Sequence, residues 1–297
     1  MTIDRREFIK RSGMGLAGAF VMPDLSKTLS PTVSPDCMGT LYDASQCIGC
    51  RNCEIACKSN HTSDDASPAG IQEDQQDLEL SAETWSLIKL YQDKENRSIY
   101  SFVKVQCMHC IDPACVSACP VGALQKTENG PVTYDEKICI GCRYCMAACP
   151  FEIPKYEWEK VFPRIMKCDF CVDRQNAGGE PACTEACISG ALTFSKRSDL
   201  LVEANNRIQN DPGNYIDHVY GEHEVGGTSN LYISKVPFEK LGLPTLNSSS
   251  LPSLTWPWMR AVPGVAIVMA SLMTFLYWLT GRKTKIAMEE VHDDSGE

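Results

Sequence analysis

The sequence predicts an α+β chain of short strands and short helices, closed by a single transmembrane helix. Three observations predict it. Cysteines gather in four runs, at 47–57, 107–119, 139–149 and 168–187. Short β-like pieces flank those runs. Near the C-terminus, residues 261–279 form a stretch of 19 residues without a charge.

The elements follow in chain order. Residues 1–23 place Arg5 and Arg6 together in "DRREFIKRSG", ahead of the weakly apolar "GMGLAGAFVM". A basic stretch that precedes a short apolar run, without interleaving, resembles a twin-arginine export signal. Such a route carries folded proteins and suits a chain loaded with metal in the cytoplasm. Residues 24–39 are rich in Ser, Thr and Pro and read as a linker. Residues 40–200 hold the cysteine runs. Between the first two lies the polar, acidic stretch "HTSDDASPAGIQEDQQDLELSAETW", read as an insertion. Strands are predicted at 98–106, 130–136 and 191–195. Residues 200–212 read as a helix, with Leu201, Val202, Ala204 and Ile208 on a 3.6-residue period.

Residues 201–255 lack cysteine and read as a C-terminal extension and partner-docking segment, with a strand at 227–234. Residues 256–281 read as the transmembrane anchor. A helix over 261–279 spans roughly 28 Å, close to a bilayer core. Trp256 and Trp258 stand before it and Trp278 near its end, as membrane interfaces favour. Arg282, Lys283 and Lys285 follow at once, so residues 282–297 are expected as a cytoplasmic tail and the cysteine domain on the opposite, periplasmic face.

The cysteines carry the chemistry. There are 17, an odd number, which fits four sets of four with one left over better than a disulfide scaffold. Cys139-x2-Cys142-x2-Cys145-x3-Cys149-Pro150 matches the bacterial ferredoxin pattern for a [4Fe-4S] cluster. Cys107-x2-Cys110-x4-Cys115-x3-Cys119-Pro120 matches with two extra residues before the third cysteine. In that pattern three close thiolates hold one cluster and the fourth cysteine crosses to the neighbouring one. Cys107, Cys110, Cys115 and Cys149 are therefore expected to share a cluster, as are Cys139, Cys142, Cys145 and Cys119. By the same logic Cys47, Cys50 and Cys53 pair with Cys187, and Cys168, Cys171 and Cys183 with Cys57. The result is two interleaved bacterial ferredoxin-like units holding four [4Fe-4S] clusters, the outer unit closed around the inner. The fourth run inserts 11 residues between Cys171 and Cys183. Taken alone, its two cysteine pairs also suit a four-cysteine zinc site. Cys37 lies outside the runs and reads as a bystander in the linker.

Other residues say less. Arg51, Lys58, Lys104, Arg143, Lys167 and Arg174 lie near the cysteines and either raise cluster potentials or face solvent. His61 and His109 read as spacers, not ligands. The net charge of −10 argues against nucleic acid. No Walker motif, dinucleotide fingerprint or zinc-hydrolase signature is present. No catalytic site is expected.

With these motifs the chain resembles the four-cluster iron–sulfur subunits of membrane-bound respiratory oxidoreductases. The "RREFIK" start, the segment "GEHEVGGTSNLYISKVPFEKLGLP" at 221–244 and the single C-terminal helix look closest to the iron–sulfur subunit of periplasmic nickel–iron uptake hydrogenases of the hydrogenase-2 type. That resemblance implies a non-catalytic electron-transfer subunit of the inner membrane. It would relay electrons from hydrogenase small and large subunits to an integral membrane quinone-reactive subunit, with one helix in lipid. The β subunits of formate dehydrogenases and of other molybdopterin oxidoreductases are the alternative. All 16 ligand positions are cysteine, so four cubane clusters are implied.

Overall fold

The computed structural model describes residues 37–61 and 79–293, and backbone alone beyond Arg282. The export-signal reading, residues 24–36 of the expected linker and most of the acidic insertion lie outside the described residues. The chain divides into two units, one ending at Ser250 and the other beginning at Leu251.

The strands and helices of the first unit are short, as cysteine-dense loops require. β1 (Met38–Asp43) leads into the first cysteine run, whose second half lies on α1 (Asn52–His61). The hairpin β2 (Leu87–Gln92) and β3 (Tyr100–Val105) follows, then α2 (Ala114–Ser117). A second hairpin joins β4 (Leu124–Lys126) to β5 (Val132–Tyr134), ahead of α3 (Tyr144–Ala148). A third joins β6 (Lys155–Tyr156) to β7 (Ile165–Met166). Next come α4 (Val172–Asn176), α5 (Ala182–Glu185), β8 (Leu192–Lys196), α6 (Arg197–Asn210) and β9 (Asn230–Ile233). α2 packs on α3 and α1 on α5, so the second run sits with the third and the first with the fourth.

One sheet, in the order β8-β1-β9, ties the two ends of this unit together. β1 runs antiparallel to β8 and parallel to β9, with Leu41 opposite Leu231 and Tyr42 opposite Tyr232. Alternation along a strand sends neighbouring side chains to opposite faces. Leu41, Leu231 and Ile233 bury against Leu200, Ala204 and Ile208 of α6. Tyr42 and Tyr232 bury on the cysteine side with Cys53, Val103 and Met108. Both faces of β1 are thus covered, which is why Thr40, Leu41, Tyr42 and Asp43 are all buried. Asp43 is held there by Tyr215 Oη at 2.8 Å, Arg207 Nη1 at 3.2 Å and the Ser45 amide at 2.9 Å.

Several expected boundaries move. β1 starts inside the stretch read as linker, and Cys37 is buried at its head, its carbonyl accepting the Arg197 amide at 2.9 Å. α6 starts at Arg197, so a division at 200/201 would cut it. Its buried stripe is Leu200, Ala204 and Ile208, while Val202 faces solvent. Residues 201–250 belong to the same compact unit as the cysteines.

The second unit is α7 (Leu251–Asp293), which begins before the expected position 256 and runs on past 281. Leu251–Arg282 is long and apolar enough to cross a membrane, and an 18-residue stretch within it has mean hydropathy 1.8. Pro257 and Pro263 lie within it. Thr274 and Thr280 turn their hydroxyls back onto the Ala270 and Leu276 carbonyls at 2.8 and 3.0 Å, which satisfies both within the helix. Arg260 lies over Trp256 and Arg282 over Trp278, an apolar-to-charged transition at either end.

Candidate metal centres

The four cysteine runs share one backbone device. The residue just before the second cysteine is left-handed in each: Gly49 (φ 68°), His109 (47°), Gly141 (69°) and Phe170 (64°). A reversal there curls the two-residue spacer so that the flanking sulfurs face one point and amides turn inward. Gly49 is doubly constrained, since a Cβ on it would meet the Phe102 ring at 2.4 Å. Three of the fourth cysteines open a second shared turn. The Gly122 amide bonds the Cys119 carbonyl at 3.4 Å, Glu152 bonds Cys149 at 3.2 Å, and Gly190 bonds Cys187 at 3.4 Å. Pro120 and Pro150 occupy the second position of such turns, where a fixed φ is favourable. Ile188 stands there in the fourth run. Cys57 instead lies within α1.

The structure brings the thiols together across runs. None of the cysteines from Cys37 to Cys187 is in a disulfide. Cys110 feels Cys107, Cys149 and Cys115. Cys145 feels Cys119, Cys139 and Cys142. Cys47 feels Cys187 and Cys50, while Cys168 and Cys171 feel Cys57 and Cys183. Cys187 therefore neighbours the first run, away from the four-cysteine zinc grouping that its own run suggests. Three electrostatic influences link these groups in series: Cys53 feels Cys183, Cys168 feels Cys107, and Cys115 feels Cys145. The line runs from the Cys47 group to the Cys168 group, then to the Cys107 group and the Cys139 group. Cys37 joins none of the groups; Lys126 and Arg197 feel it.

The electrostatics suit a cationic cluster. Burial first, and repulsion between thiolates second, pushes Cys145 and Cys149 up to about 11. Burial likewise lifts Cys53, Cys115 and Cys171 to about 12. Bare thiols in such places stay protonated at neutral pH, yet their surroundings are built for anions. The Ala123 amide points at Cys119 Sγ at 3.2 Å and the Phe170 amide at Cys168 Sγ at 3.4 Å. Amides of Ile153, Phe151 and Glu152 bond Cys149. Four thiols, inward amides and a need for positive charge fit iron–sulfur ligation.

Three buried lysines supply part of that charge. Lys104 Nζ donates to Ser86 Oγ at 2.9 Å and to Gln106 Oε1. Burial pushes Lys104 down, but Cys183, Cys53 and Cys57 outweigh it and hold it above the ordinary lysine value. Lys126 donates to the His109 carbonyl at 2.9 Å, to Ser229 Oγ at 3.2 Å and to the Gly130 carbonyl. Burial lowers Lys126 to about 8. Lys167 donates to the Val132 carbonyl and, at 3.0 Å, to that of Cys168. Lys104 and Lys167 stand out in the sequence by adjacency to cysteines. Lys126 carries no such signal. Of the other singled-out cations, Arg143 lies over Tyr156 and Trp158, and Arg174 pairs with Glu185.

The histidines divide. His61, Asp169 and Cys171 offer ligand atoms within 4.8 Å of one another. Both His61 nitrogens are already engaged, Nδ1 with the Cys57 carbonyl at 2.8 Å and Nε2 with Asp169 at 2.9 Å. Burial opposes the charge on His61, but Asp169 and Cys57 raise it to about 10, so the ring braces α1 against the fourth run. His109 is wholly buried, and its Nε2 is a buried side-chain polar atom without a partner among the described residues.

The segment after α6, expected to dock a partner, backs the second run from within the same unit. Asn230 Nδ2 donates to the Cys107 carbonyl at 2.6 Å, and the Asn230 and Ser229 amides bond the Met108 and His109 carbonyls at 3.2 and 3.1 Å. Thr40 Oγ1 donates to Asn230 Oδ1 at 2.6 Å, which fixes the amide's orientation. Buried Glu224 accepts from His218 at 2.7 Å and from the Gly221 amide at 2.7 Å, shaping the turn that leads into β9.

Fold and thiol groups together define a protein of two ferredoxin-like iron–sulfur domains followed by one long apolar helix. Two family profiles, each described as a 4Fe-4S dicluster domain, match residues 46–124 and 98–197. A protein of Nitratidesulfovibrio vulgaris is 42% identical over 298 residues, covering 97% of this chain and 80% of that protein. Hydrogenase-2 operon protein HybA of Escherichia coli O157:H7 is 36% identical over 284 residues, 84% of this chain and 86% of that one. The iron–sulfur subunit of the nitrate-inducible formate dehydrogenase of Escherichia coli K12 is 34% identical over 239 residues, 78% and 77% respectively. The chain belongs to the family of multicluster [4Fe-4S] subunits that includes these hydrogenase and formate dehydrogenase proteins.

Proposed function

We propose that this chain is a non-catalytic electron-transfer subunit of the inner membrane, carrying four [4Fe-4S] clusters between a periplasmic redox enzyme and an integral membrane quinone-reactive partner. The observation that supports it best is that cysteines of different runs pack in shared core clusters and influence one another electrostatically in series. When bound, each cluster takes up and gives back one electron. The chain's own residues hold it: Cys47, Cys50, Cys53 and Cys187; Cys57, Cys168, Cys171 and Cys183; Cys107, Cys110, Cys115 and Cys149; Cys119, Cys139, Cys142 and Cys145. Inward amides and buried lysines offset the negative charge that each added electron brings. The full cysteine complement leaves no open ligand position for substrate.

Both ends of the line face solvent through apolar rims. Cys50 is exposed, between exposed Ile48 and Ile55. At the other end Ile140 and Tyr144 are exposed, as are Trp158, Val161 and Phe162 of the β6–β7 hairpin, the last two above 85%. Such rims suit docking of redox partners, which brings an end cluster close to the donor or acceptor. α7 then tethers the domain to lipid, and the twin-arginine start exports it loaded.

The catalytic partner in this reading is a nickel–iron hydrogenase. The chain's own export-like start and its coverage of the hydrogenase-2 operon protein support that choice. The formate dehydrogenase relative supports a second reading, with a molybdenum partner. Purification of the detergent-solubilised complex with metal analysis tests them. Nickel in the copurifying subunit and hydrogen-dependent bleaching of the clusters are expected. Molybdenum with formate-dependent bleaching overturns the first reading in favour of the second. About four clusters' worth of iron and sulfide per chain is expected, and half that amount sinks the four-cluster assignment.

A further inference from the structure

The residue that links the two central cysteine groups is His109. It stands between Cys107 and Cys110, yet its ring stacks flat on Phe170, between Cys168 and Cys171 of the next group. The ring centroids are 4.7 Å apart and the planes differ by 19°. Phe170 in turn meets Phe194 edge-on. One imidazole thus spans two metal-binding loops.

The tautomer is set by its neighbours. The Val132 amide donates to His109 Nδ1 at 3.0 Å, so that nitrogen carries a lone pair. The proton of the neutral ring must then be on Nε2. The result is an N–H donor, wholly buried, with no acceptor among the described residues. Native interiors do not leave such donors bare, because each costs about 1–3 kcal/mol. The peptide that carries this N–H is itself locked, its Pro131 carbonyl accepting from the Thr127 amide at 2.9 Å and from Thr127 Oγ1 at 3.0 Å. The ring therefore cannot turn to satisfy Nε2 without orphaning a backbone amide.

We infer that His109 Nε2–H donates a hydrogen bond to a sulfur, thiolate or inorganic sulfide, of one of the two central clusters. The inference rests on the four-cluster reading. It makes His109 a fixed donor at the middle junction of the line, raising the potential of the cluster it touches, since donors to cluster sulfur favour the reduced state. His109 is also one of the few residue types that accept the left-handed backbone found there.

Two substitutions separate this role from packing. His109→Asn keeps an acceptor where Nδ1 stood and tolerates positive φ, but its N–H₂ stops short of the Nε2 position and leaves no donor there. His109→Gln places an amide N–H near the Nε2 position. EPR-monitored redox titration of the purified, cluster-loaded full chain should show one central cluster in H109N shifted about tenfold toward the oxidised form, ~59 mV for a one-electron couple. H109Q should stay near the parent, and the cluster that moves identifies the acceptor. Equal shifts in both variants, or none, overturn the inference. If H109N fails to assemble clusters, ¹⁵N-histidine labelling gives the readout instead. A hyperfine coupling between a reduced cluster and a histidine nitrogen should be present in the parent and lost in H109Q; its absence from the parent overturns the inference. Iron and sulfide content of the parent is measured first: a deficit there defeats the four-cluster reading, whereas full content with no His109 effect defeats only the donor.

Discussion

Lys104 gives the sharpest test of the electrostatics. Its ammonium is wholly buried and feels, in order of strength, Cys183, Cys53 and Cys57. Cys53 belongs to one terminal group, and Cys183 and Cys57 to the next. Replacement by Met keeps the volume and removes the charge. At a separation of about 8 Å and an effective permittivity of about 20, one charge alters the energy of an added electron by ~2 kcal/mol. For a one-electron couple that is ~90 mV. The sign is fixed: without the cation, adding an electron costs more, so potentials fall. Lys104→Met should therefore lower the potentials of the Cys47 and Cys168 clusters by tens of millivolts, up to ~90 mV, and leave the Cys139 cluster at the far end unchanged. The substitution also strips a donor from Ser86 Oγ and Gln106 Oε1, which costs about 1–3 kcal/mol for each acceptor left bare. A matching drop in thermal midpoint should accompany the shift. The assay is a potentiometric titration followed by EPR. Unchanged potentials, or one uniform shift of all four clusters, would refute the reasoning, since neither agrees with a charge local to two groups.

Three further outcomes follow from the same geometry. Cys119→Ala should damage the cluster of Cys139, Cys142 and Cys145 and spare that of Cys107, Cys110 and Cys115; cluster-resolved spectra showing the reverse loss would overturn the crossover pairing. Gly49→Ala should destabilise by about 2–5 kcal/mol, from a left-handed alanine and a clash with Phe102. Gly122→Ala, with no atom within 4 Å of the added Cβ, should cost only about 1–2 kcal/mol, so equal urea midpoints for cluster loss in the two variants contradict this account. Protease applied to sealed spheroplasts should digest the cysteine domain and spare the C-terminal tail; a protected domain reverses the proposed topology.

The thiol groups are legible in sequence because ligand spacing is a local constraint. In the first three runs the three sulfurs of a group come from seven to nine consecutive residues, whatever the rest of the chain does, while the fourth run spreads them over Cys168, Cys171 and Cys183. The hairpin strand β3 and the strand β9 are likewise visible as short β-like pieces. What could not be read depends on distant pairing. β1 lies beside β9 across 190 residues, joined by Thr40 and Asn230, and only that pairing turns an apparent linker end into a core strand. Lys126 follows the same rule: nothing around it in sequence marks a buried cation, because the His109 and Ser229 groups that receive it come from elsewhere in the chain. Val202 misled for the opposite reason. Its position fits a helical period, but the stripe that meets β1 and β9 runs through Leu200, Ala204 and Ile208.

The segment from 219 to 241 then has a physical reason to exist in a chain whose ligands end at Cys187. Loops of two-residue spacers bury little apolar surface and cannot fix their own backbone, since their carbonyls point away from the metal and need donors. In the second run those donors come from the start of β9 and the residue before it: Asn230 and Ser229 supply bonds to the carbonyls of Cys107, Met108 and His109 in succession. Arg197, at the start of α6, donates to the Thr228 carbonyl at 2.7 Å and to that of Glu222 at 2.9 Å, holding the preceding turn. Tyr232 Oη reaches the Lys104 carbonyl at 2.9 Å, so the same strand also fixes the cation beside the outer groups. A reorganising loop would make the energy of each electron transfer depend on backbone motion. Pinning the central loop from behind with a strand of the main sheet removes that freedom, and the glycine-rich stretch 221–230 is where the chain must bend tightly to deliver it, with Gly221 at φ 96° and too close to Thr228 Oγ1, 2.4 Å from an added Cβ, to carry any side chain.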